Sequence, residues 1–150
     1  TLFFDYTPNT GISWIDRFGF DGVTGAGISS DQHRSGFDSS IGDQYFFQTK
    51  IRYKVFPWLS PFFAFHYTAT RPGDTTNRTA SAAISPISGA NVGAGSTAYV
   101  PGSHEVLTGG GLEFHITPVA TVNTWFIRGI DGQNTTRTNA LYMNFVYVWF

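Results

Sequence analysis

Two pairs of polar side chains have the residue types and the spacing of a hydrolytic site. His66 and Thr68 lie two apart on one predicted strand, and Glu113 and His115 lie two apart on another, so each pair shares one face of its strand. A hydroxyl nucleophile, a histidine base and an orienting carboxylate could together cleave an ester. Threonine is a poorer nucleophile than serine, and no neighbouring sequence completes the set. The favoured interpretation is that these residues satisfy one another in a polar interior, and no enzymatic activity is predicted.

Three basic residues alternate along the strand that precedes His66. Lys50, Arg52 and Lys54 therefore share one face, where Glu105, Glu113 and aspartate residues are candidate partners because unpaired charge in a confined interior is costly. In a channel these cations would favour anions. In a sandwich the same face is simply solvated. The predicted interior-lining residues are Lys50, Arg52, Lys54, His66, Glu113 and His115.

Composition excludes several other kinds of site. The chain has no cysteine, and its four histidines do not have the spacing of a metal site, so neither a metal nor a cofactor is predicted. The formal net charge is -1 with 13% charged residues, without the basic excess of a nucleic-acid-binding protein. Aromatic residues make up 17% of the chain. This balance is typical of an all-β protein whose outer surface is not entirely in water.

The stretch from Tyr45 to Thr70 positions most of these side chains. Its residues alternate between an apolar side, such as Phe47 and Phe63, and a polar side, such as Lys50 and His66, with a break at residues 57–60. Period-two alternation indicates strands with one apolar face. The stretch therefore predicts an antiparallel hairpin with one apolar and one polar side.

The rest of the chain repeats this organisation within a single all-β domain, residues 1–150. Further strands are predicted over residues 1–6, 11–23, 104–116, 120–130 and 138–150. Short turns fall at Pro8, Pro57 and Pro118, whereas long or polar connections cover residues 24–43, 71–103 and 131–137. Because successive strands run up and down, the short turns share one end and the long loops share the other.

This pattern resembles bacterial outer-membrane β-barrels. The resemblance rests on the segments VFPWLSPF and LEFHITPVAT, which are similar to tight periplasmic turns, and on the closing FVYVWF. It implies an antiparallel up-and-down transmembrane barrel in the outer membrane, acting as a narrow pore or as a surface-exposed structural or interaction protein. The implied partners are the lipid bilayer, the barrel-assembly machinery that reads a terminal strand ending in Phe150, and further copies of the chain in a homo-oligomer.

The spacing of His66 and Thr68 also resembles the His-x-Ser arrangement of lipid A 3-O-deacylase barrels, which implies a lipid acyl hydrolase as a third function.

Two features depart from the barrel pattern and favour a jelly-roll β-sandwich as the alternative. Seven strands are predicted, whereas single-chain bacterial barrels have an even number, so a strand either precedes Thr1 or is hidden in a long loop. If Phe150 points at lipid, an apolar set points inward: Leu141, Met143, Phe145, Tyr147 and Trp149. The middle strands also resemble those of picorna-like capsid proteins, which implies a structural protein of a virion that assembles into a shell.

Overall fold

The chain folds into antiparallel β-strands. The structure is a computed structural model that describes residues 1–40, 42–86, 88–135 and 137–148. Within these ranges the strands are β1 Leu2–Tyr6, β2 Phe18–Gly27, β3 Gln32–Arg34, β4 Phe37–Ser40, β5 Gln44–Tyr53, β6 Leu59–Thr70, β7 Gly73–Asn77, β8 Ala83–Ile84, β9 Asn91–Val92, β10 Thr97–Val100, β11 Ser103–Thr117, β12 Ala120–Gln133 and β13 Asn139–Tyr147. A single-turn 3-10 helix, Ile15–Arg17, precedes β2. The predicted all-β, antiparallel class is confirmed. No helix in the described ranges has the length and apolar character needed to cross a bilayer.

Seven strands form the main sheet, in the order β1-β2-β5-β6-β11-β12-β13. Every pairing is antiparallel, and each strand lies beside the next one of the set along the chain. The arrangement is therefore an up-and-down meander with two edges. In the part of the chain that the structure describes, β1 pairs only with β2 and β13 only with β12. The two edge strands run in the same direction because they are first and seventh.

The register separates the main sheet into two faces. The apolar face carries a row that crosses all seven strands: Tyr6, Phe20, Ile51, Phe63, Gly110, Phe126 and Leu141. The polar face carries the neighbouring row: Asp5, Asp21, Lys50, Ala64, Gly109, Ile127 and Ala140. Antiparallel pairing carries a face from strand to strand, since directly opposed residues point to the same side.

Burial on these faces is the inverse of that in a water-soluble sheet. On β5, β6, β11 and β12, the exposed large hydrophobic side chains at regularly paired positions all lie on the apolar face: Phe47, Ile51, Phe63, Leu112 and Phe126. On the polar face, Ser60 is 3% exposed and Glu113 is 5% exposed. On these four strands, the exposed large apolar side chains at paired positions therefore lie on one face, and the buried Ser60 and Glu113 lie on the other.

The main sheet curls around its polar face. Two cavities of about 210 Å³ each are lined by polar-face side chains from β5 through β13, including Gln48 at one side and Tyr142 or Asn144 at the other. A flat sheet would separate β5 from β13 by about 19 Å, four strand spacings of ~4.8 Å. Their side chains converge on small cavities because the strands between them bend. Gly109 and Gly111 lie in that bend, and a Cβ added there would come within 2.0 and 2.1 Å of the carbonyl oxygens of Phe126 and Thr124.

The long connections contain structure of their own, which corrects their prediction as loops. β10, β7, β4 and β3 form a four-stranded sheet in that order, and β8 and β9 form a small hairpin. We call these two elements the loop sheets. Their extensive strand contacts within the described residues are with one another. Both are separate from the main sheet, so neither adds a strand to it.

Two predictions about strand boundaries and faces were wrong. Residues 11–17 are not a strand, because the Asp16 carboxylate accepts hydrogen bonds from the Thr10 and Gly11 amides and folds this segment into a turn before β2. The odd residues of β13 do not share the face of the polar side chains: Leu141 is opposite Phe126 and Phe145 is opposite Val122, on the apolar face. That face explains their hydrophobic character. Trp149 and the predicted assembly signal at Phe150 lie outside the described residues.

Candidate functional site

A chain of ion pairs crosses the polar face. Lys50 Nζ lies 2.6 Å from Glu113 Oε1 and 3.3 Å from Asp21 Oδ2. Arg52 continues the chain, with Nη1 3.1 Å from Asp21 Oδ2 and Nη2 3.2 Å from Asp5 Oδ1. Positive and negative groups alternate from β11 to β1, so each charge has a neighbour of opposite sign.

Small residues on the intervening strands make this chain possible. Ala64 is opposite Lys50 on β6, so no large side chain blocks the lysine from reaching Glu113 on β11. Gly19 is opposite Arg52 on β2, and a Cβ there would lie 2.3 Å from Arg52 Nε. The Phe62 ring also lies beneath Lys50, with its centroid 5.3 Å from Nζ. Small residues opposite Lys50 and Arg52 therefore leave room for these two side chains to extend across the neighbouring strands.

Burial makes the Lys50–Glu113 pair energetically important. The Glu113 side chain is 7% exposed and that of Lys50 is 27% exposed. A carboxylate so far from water is stable as an ion only with a charged partner, because its desolvation costs several kcal/mol. The 2.6 Å contact between Lys50 and Glu113 therefore links β5 to β11 across β6.

A second polar cluster surrounds His115 near the tight turns. His115 Nε2 lies 3.4 Å from Ser60 Oγ, and its Nδ1 lies 3.4 Å from Thr121 Oγ1. These are long hydrogen bonds, and the ring's partners are hydroxyl groups rather than a carboxylate. Ser60 was not singled out in the sequence, although the alternation places it on the polar side. Only the β6–β11 register could have joined it to His115.

The two residue pairs considered for hydrolysis are not brought together. His66 is opposite Leu107 and Thr68 is opposite Glu105, whereas Glu113 is opposite Ser60. His66 and Ser60 are six residues apart on one strand, or about 20 Å. The predicted combination of Thr68, His66 and Glu113 therefore does not form a single site.

The predicted interior-lining residues do share one face. Lys50, Arg52, His66, Glu113 and His115 all lie on the polar face by register. Lys54 follows β5 and contributes to the wall of the same cavity as Arg52 and His115. Asp5 and Asp21, which complete the ion pairs, were not assigned as partners from the sequence because pairing them with Arg52 requires the β1–β2–β5 register.

The centre of the polar face also contains an unpaired acceptor. Asn123 Oδ1 is buried and has no hydrogen-bond partner in the described part of the chain. It belongs to one of the 210 Å³ cavities, beside Lys50, Glu113 and Asn144. A buried amide oxygen requires a donor, and a polar cavity of this size has room for water molecules that supply one. This cavity therefore has room for a water molecule beside Asn123.

No metal centre is formed by the described residues, which contain no cluster of three or more histidine, aspartate or glutamate side chains in ligand geometry. Comparison of the chain with protein-family models, with curated proteins and with solved structures finds no match. The geometry of the polar and apolar faces therefore carries the functional argument alone.

Proposed function

We propose that this chain is an integral outer-membrane β-barrel protein that anchors the loop sheets at the cell surface. The observation that supports it best is the inversion of the main sheet, with exposed hydrophobic side chains on one face and buried ion pairs on the other. Lipid is the environment that favours this arrangement, since barrel strands alternate between lipid-facing apolar residues and interior polar residues.

Energetics favour a bilayer around the apolar face. Transfer of a large apolar side chain from water contributes about 1.5–3 kcal/mol when it is complete. Phe63 is 54% exposed and Phe126 is 48% exposed, and on β13 Leu141 and Met143 are 79% and 76% exposed. Contact with hydrocarbon would remove this surface from water on every strand of the main sheet.

The barrel that we propose contains one further strand between the edges. Each unpaired backbone group in hydrocarbon costs several kcal/mol, so β1 and β13 need partners in a membrane. Because both edges run in the same direction, one strand running opposite to them pairs with both in antiparallel fashion. This gives eight strands, an even number, and an interior that side chains fill.

The ion pairs favour an anchoring role over conduction. Lys50 and Arg52 extend over the polar face toward Glu113, Asp21 and Asp5 and occupy the interior of so small a barrel. Between β5 and β13, the two cavities on the polar face have volumes of only about 210 Å³ each. The proposed barrel is therefore a closed anchor, with the loop sheets as its surface-exposed part.

Extraction tests this proposal. The protein should partition with membranes, remain in solution as a small species only with detergent, and migrate faster on gels before heating than after it. Light scattering of the preparation in plain buffer provides the opposing outcome. Large regular particles without detergent would overturn the membrane proposal and favour the capsid-like alternative, with the apolar face as a subunit interface.

A further inference from the structure

A cavity of about 620 Å³ lies at the tight-turn end of the polar face. Its wall includes three cationic side chains: Arg17 of the 3-10 helix before β2, Arg52 of β5, and Lys54 directly after β5. Ser60 and His115 contribute polar groups to the same wall. The ion-pair chain of the interior ends here, because Arg52 is its last cation toward the turns.

Two of these cations face each other without compensation. The Lys54 amide donates a 2.8 Å hydrogen bond to the Arg17 carbonyl, which extends the β2–β5 ladder and places the two residues opposite each other. Within the described part of the chain, neither side chain has a carboxylate at salt-bridge distance. Like charges in directly opposed positions are destabilising. An anion between them would remove this repulsion.

Arg52 is already oriented for such an anion. Asp21 and Asp5 each accept a hydrogen bond from one terminal nitrogen of its guanidinium, so the side chain is held in place. A guanidinium has five N–H donors, which leaves three for other acceptors. A fixed planar fork of this kind suits the oxygen atoms of phosphate.

The one acidic side chain in the wall is occupied by other groups. The Asp16 carboxylate accepts hydrogen bonds from the Thr10 amide, the Thr10 hydroxyl and the Gly11 amide. The Thr10 amide is the largest of the influences that hold the pKa of Asp16 below its ordinary range. Asp16 therefore stabilises its own loop, and within the described residues it forms no salt bridge with Arg17 or Lys54.

The mouth of the cavity is apolar. Trp58 is 52% exposed and stacks on Phe56 with ring centroids 5.5 Å apart, and Ile116 is 63% exposed. A bare inorganic ion would make no use of these surfaces. An organic group attached to a phosphate would pack against them.

We infer that this cavity binds a phosphate ester, with the phosphate between Arg17, Arg52 and Lys54 and an aromatic or apolar group against Trp58 and Ile116. Ser60 and His115 supply additional hydrogen-bond donors from the cavity wall. The same chemistry describes a soluble phosphate ester and the headgroup of a phospholipid. This inference depends on the cavity and not on membrane insertion, because the turns and strands of one chain form the whole wall.

Calorimetry with phenyl phosphate, phenol and inorganic phosphate tests the site in protein purified in a neutral maltoside detergent, or in plain buffer if the protein proves soluble there. We expect phenyl phosphate to bind, inorganic phosphate to bind more weakly, and phenol not to bind. The double variant Arg17→Gln/Lys54→Gln should bind phenyl phosphate at least tenfold more weakly. A matched control, Arg34→Gln/Arg71→Gln, removes the same charge from the loop end and should change affinity less than twofold.

Competition distinguishes the two sources of phosphate. Short-chain phosphatidylglycerol that displaces phenyl phosphate would support the site as a headgroup site, whereas phenyl phosphate binding unaffected by it would support a site for soluble esters. Absence of phenyl phosphate binding to protein with native circular dichroism would overturn the inference. Equal weakening by both double variants would also overturn it, since it would show a general effect of net charge. Because folding is checked separately, these outcomes do not depend on the membrane proposal.

Discussion

The main sheet and the loop sheets differ in which side chains they bury and which they expose. The main sheet exposes Phe63 and Phe126 and pairs the buried carboxylate of Glu113 with the half-buried Lys50. The loop sheets bury Phe37 and Val92, 3% and 1% exposed, and place charged groups such as Arg78 and His33 in solvent, with side chains 71% and 70% exposed. The two regions of one chain therefore differ in the kind of side chain that they bury.

Neutral polar groups complete the interior of the loop sheets. Asn77 is fully buried, donates hydrogen bonds to the Ser81 and Val92 carbonyls, and accepts them from the Thr79 amide and hydroxyl. Ser39 and Thr75 are also buried and lie 2.8 Å apart through their hydroxyl oxygens. Buried polar groups such as these are tolerated in a core because each of them has a hydrogen-bond partner. The comparison shows that strands of one chain can bury neutral polar groups in one region and a charged pair in another.

The largest expected effect comes from a charge on the apolar face. Phe126→Arg should destabilise the protein in lipid vesicles by about 2–4 kcal/mol, because an arginine side chain would face hydrocarbon. Tyr99→Arg is the matched control, since Tyr99 is a 66% exposed aromatic residue of a loop sheet, and it should change stability by less than about 0.5 kcal/mol. Urea unfolding in vesicles measures both. Equal effects would remove the distinction between the two regions.

A smaller effect is expected from breaking the interior ion pair. Lys50→Met should destabilise by roughly 2 kcal/mol because it leaves Glu113 unpaired, below the ~3–5 kcal/mol of fully buried pairs because Lys50 is partly exposed. Adding Glu113→Leu should recover much of that loss, since the unpaired carboxylate is then removed. The control cycle uses Arg71→Met and Asp43→Leu, an exposed pair 3.8 Å apart, for which coupling should stay within about 0.5 kcal/mol. Similar coupling in both cycles would contradict the burial argument.

The smallest expected effect is acid sensitivity of the loop sheets. The hydrogen bond from His33 and the charge of Arg78 hold the pKa of Asp38 below its ordinary range. A carboxylate with a lowered folded pKa contributes stability above its unfolded pKa of about 3.9, and this contribution is lost as pH falls through the lower folded value. NMR signals of the Thr75 and Asn77 amides should therefore lose their native shifts as pH falls from about 4 toward 2.

Asp38→Asn should remove this acid-induced change, because an amide does not titrate. Asp74→Asn, at an exposed position on the neighbouring strand β7, should leave it intact. An unchanged acid response in Asp38→Asn would show that another group controls the loop sheets.

The alternation of side chains predicted the main sheet, and composition concealed the loop sheets. The two faces of Tyr45–Thr70 follow from a period of two, and antiparallel pairing extends them to every neighbouring strand. Residues 71–103 were predicted as a loop because Ser, Thr, Gly and Asn dominate there, yet buried Thr75 and Asn77 form its core. Neutral polar residues have no periodic signature when hydrogen bonds rather than apolar contacts hold the core.

The candidate site was predicted in part. Spacing alone predicted that four of its residues share one face: Lys50, Arg52, Glu113 and His115. Their partners could not be predicted in this way, because Asp21 with Lys50 and Ser60 with His115 are joined by register between strands far apart in sequence. The cavity proposed to bind a phosphate ester also includes Arg17 in its wall. The segment of Arg17 was predicted as a strand and is instead a 3-10 turn held by Asp16.

The pairing of β4 with β7 has a consequence for the order of folding. These strands belong to different connections, and they bring together residues such as Ser40 and Asp74, which are 34 positions apart. The β5–β6 hairpin fills that interval, so its formation brings β4 and β7 close and lowers the entropy lost when they pair. The four-stranded loop sheet should therefore form late, and its resistance to protease would report that the hairpin beneath it has folded.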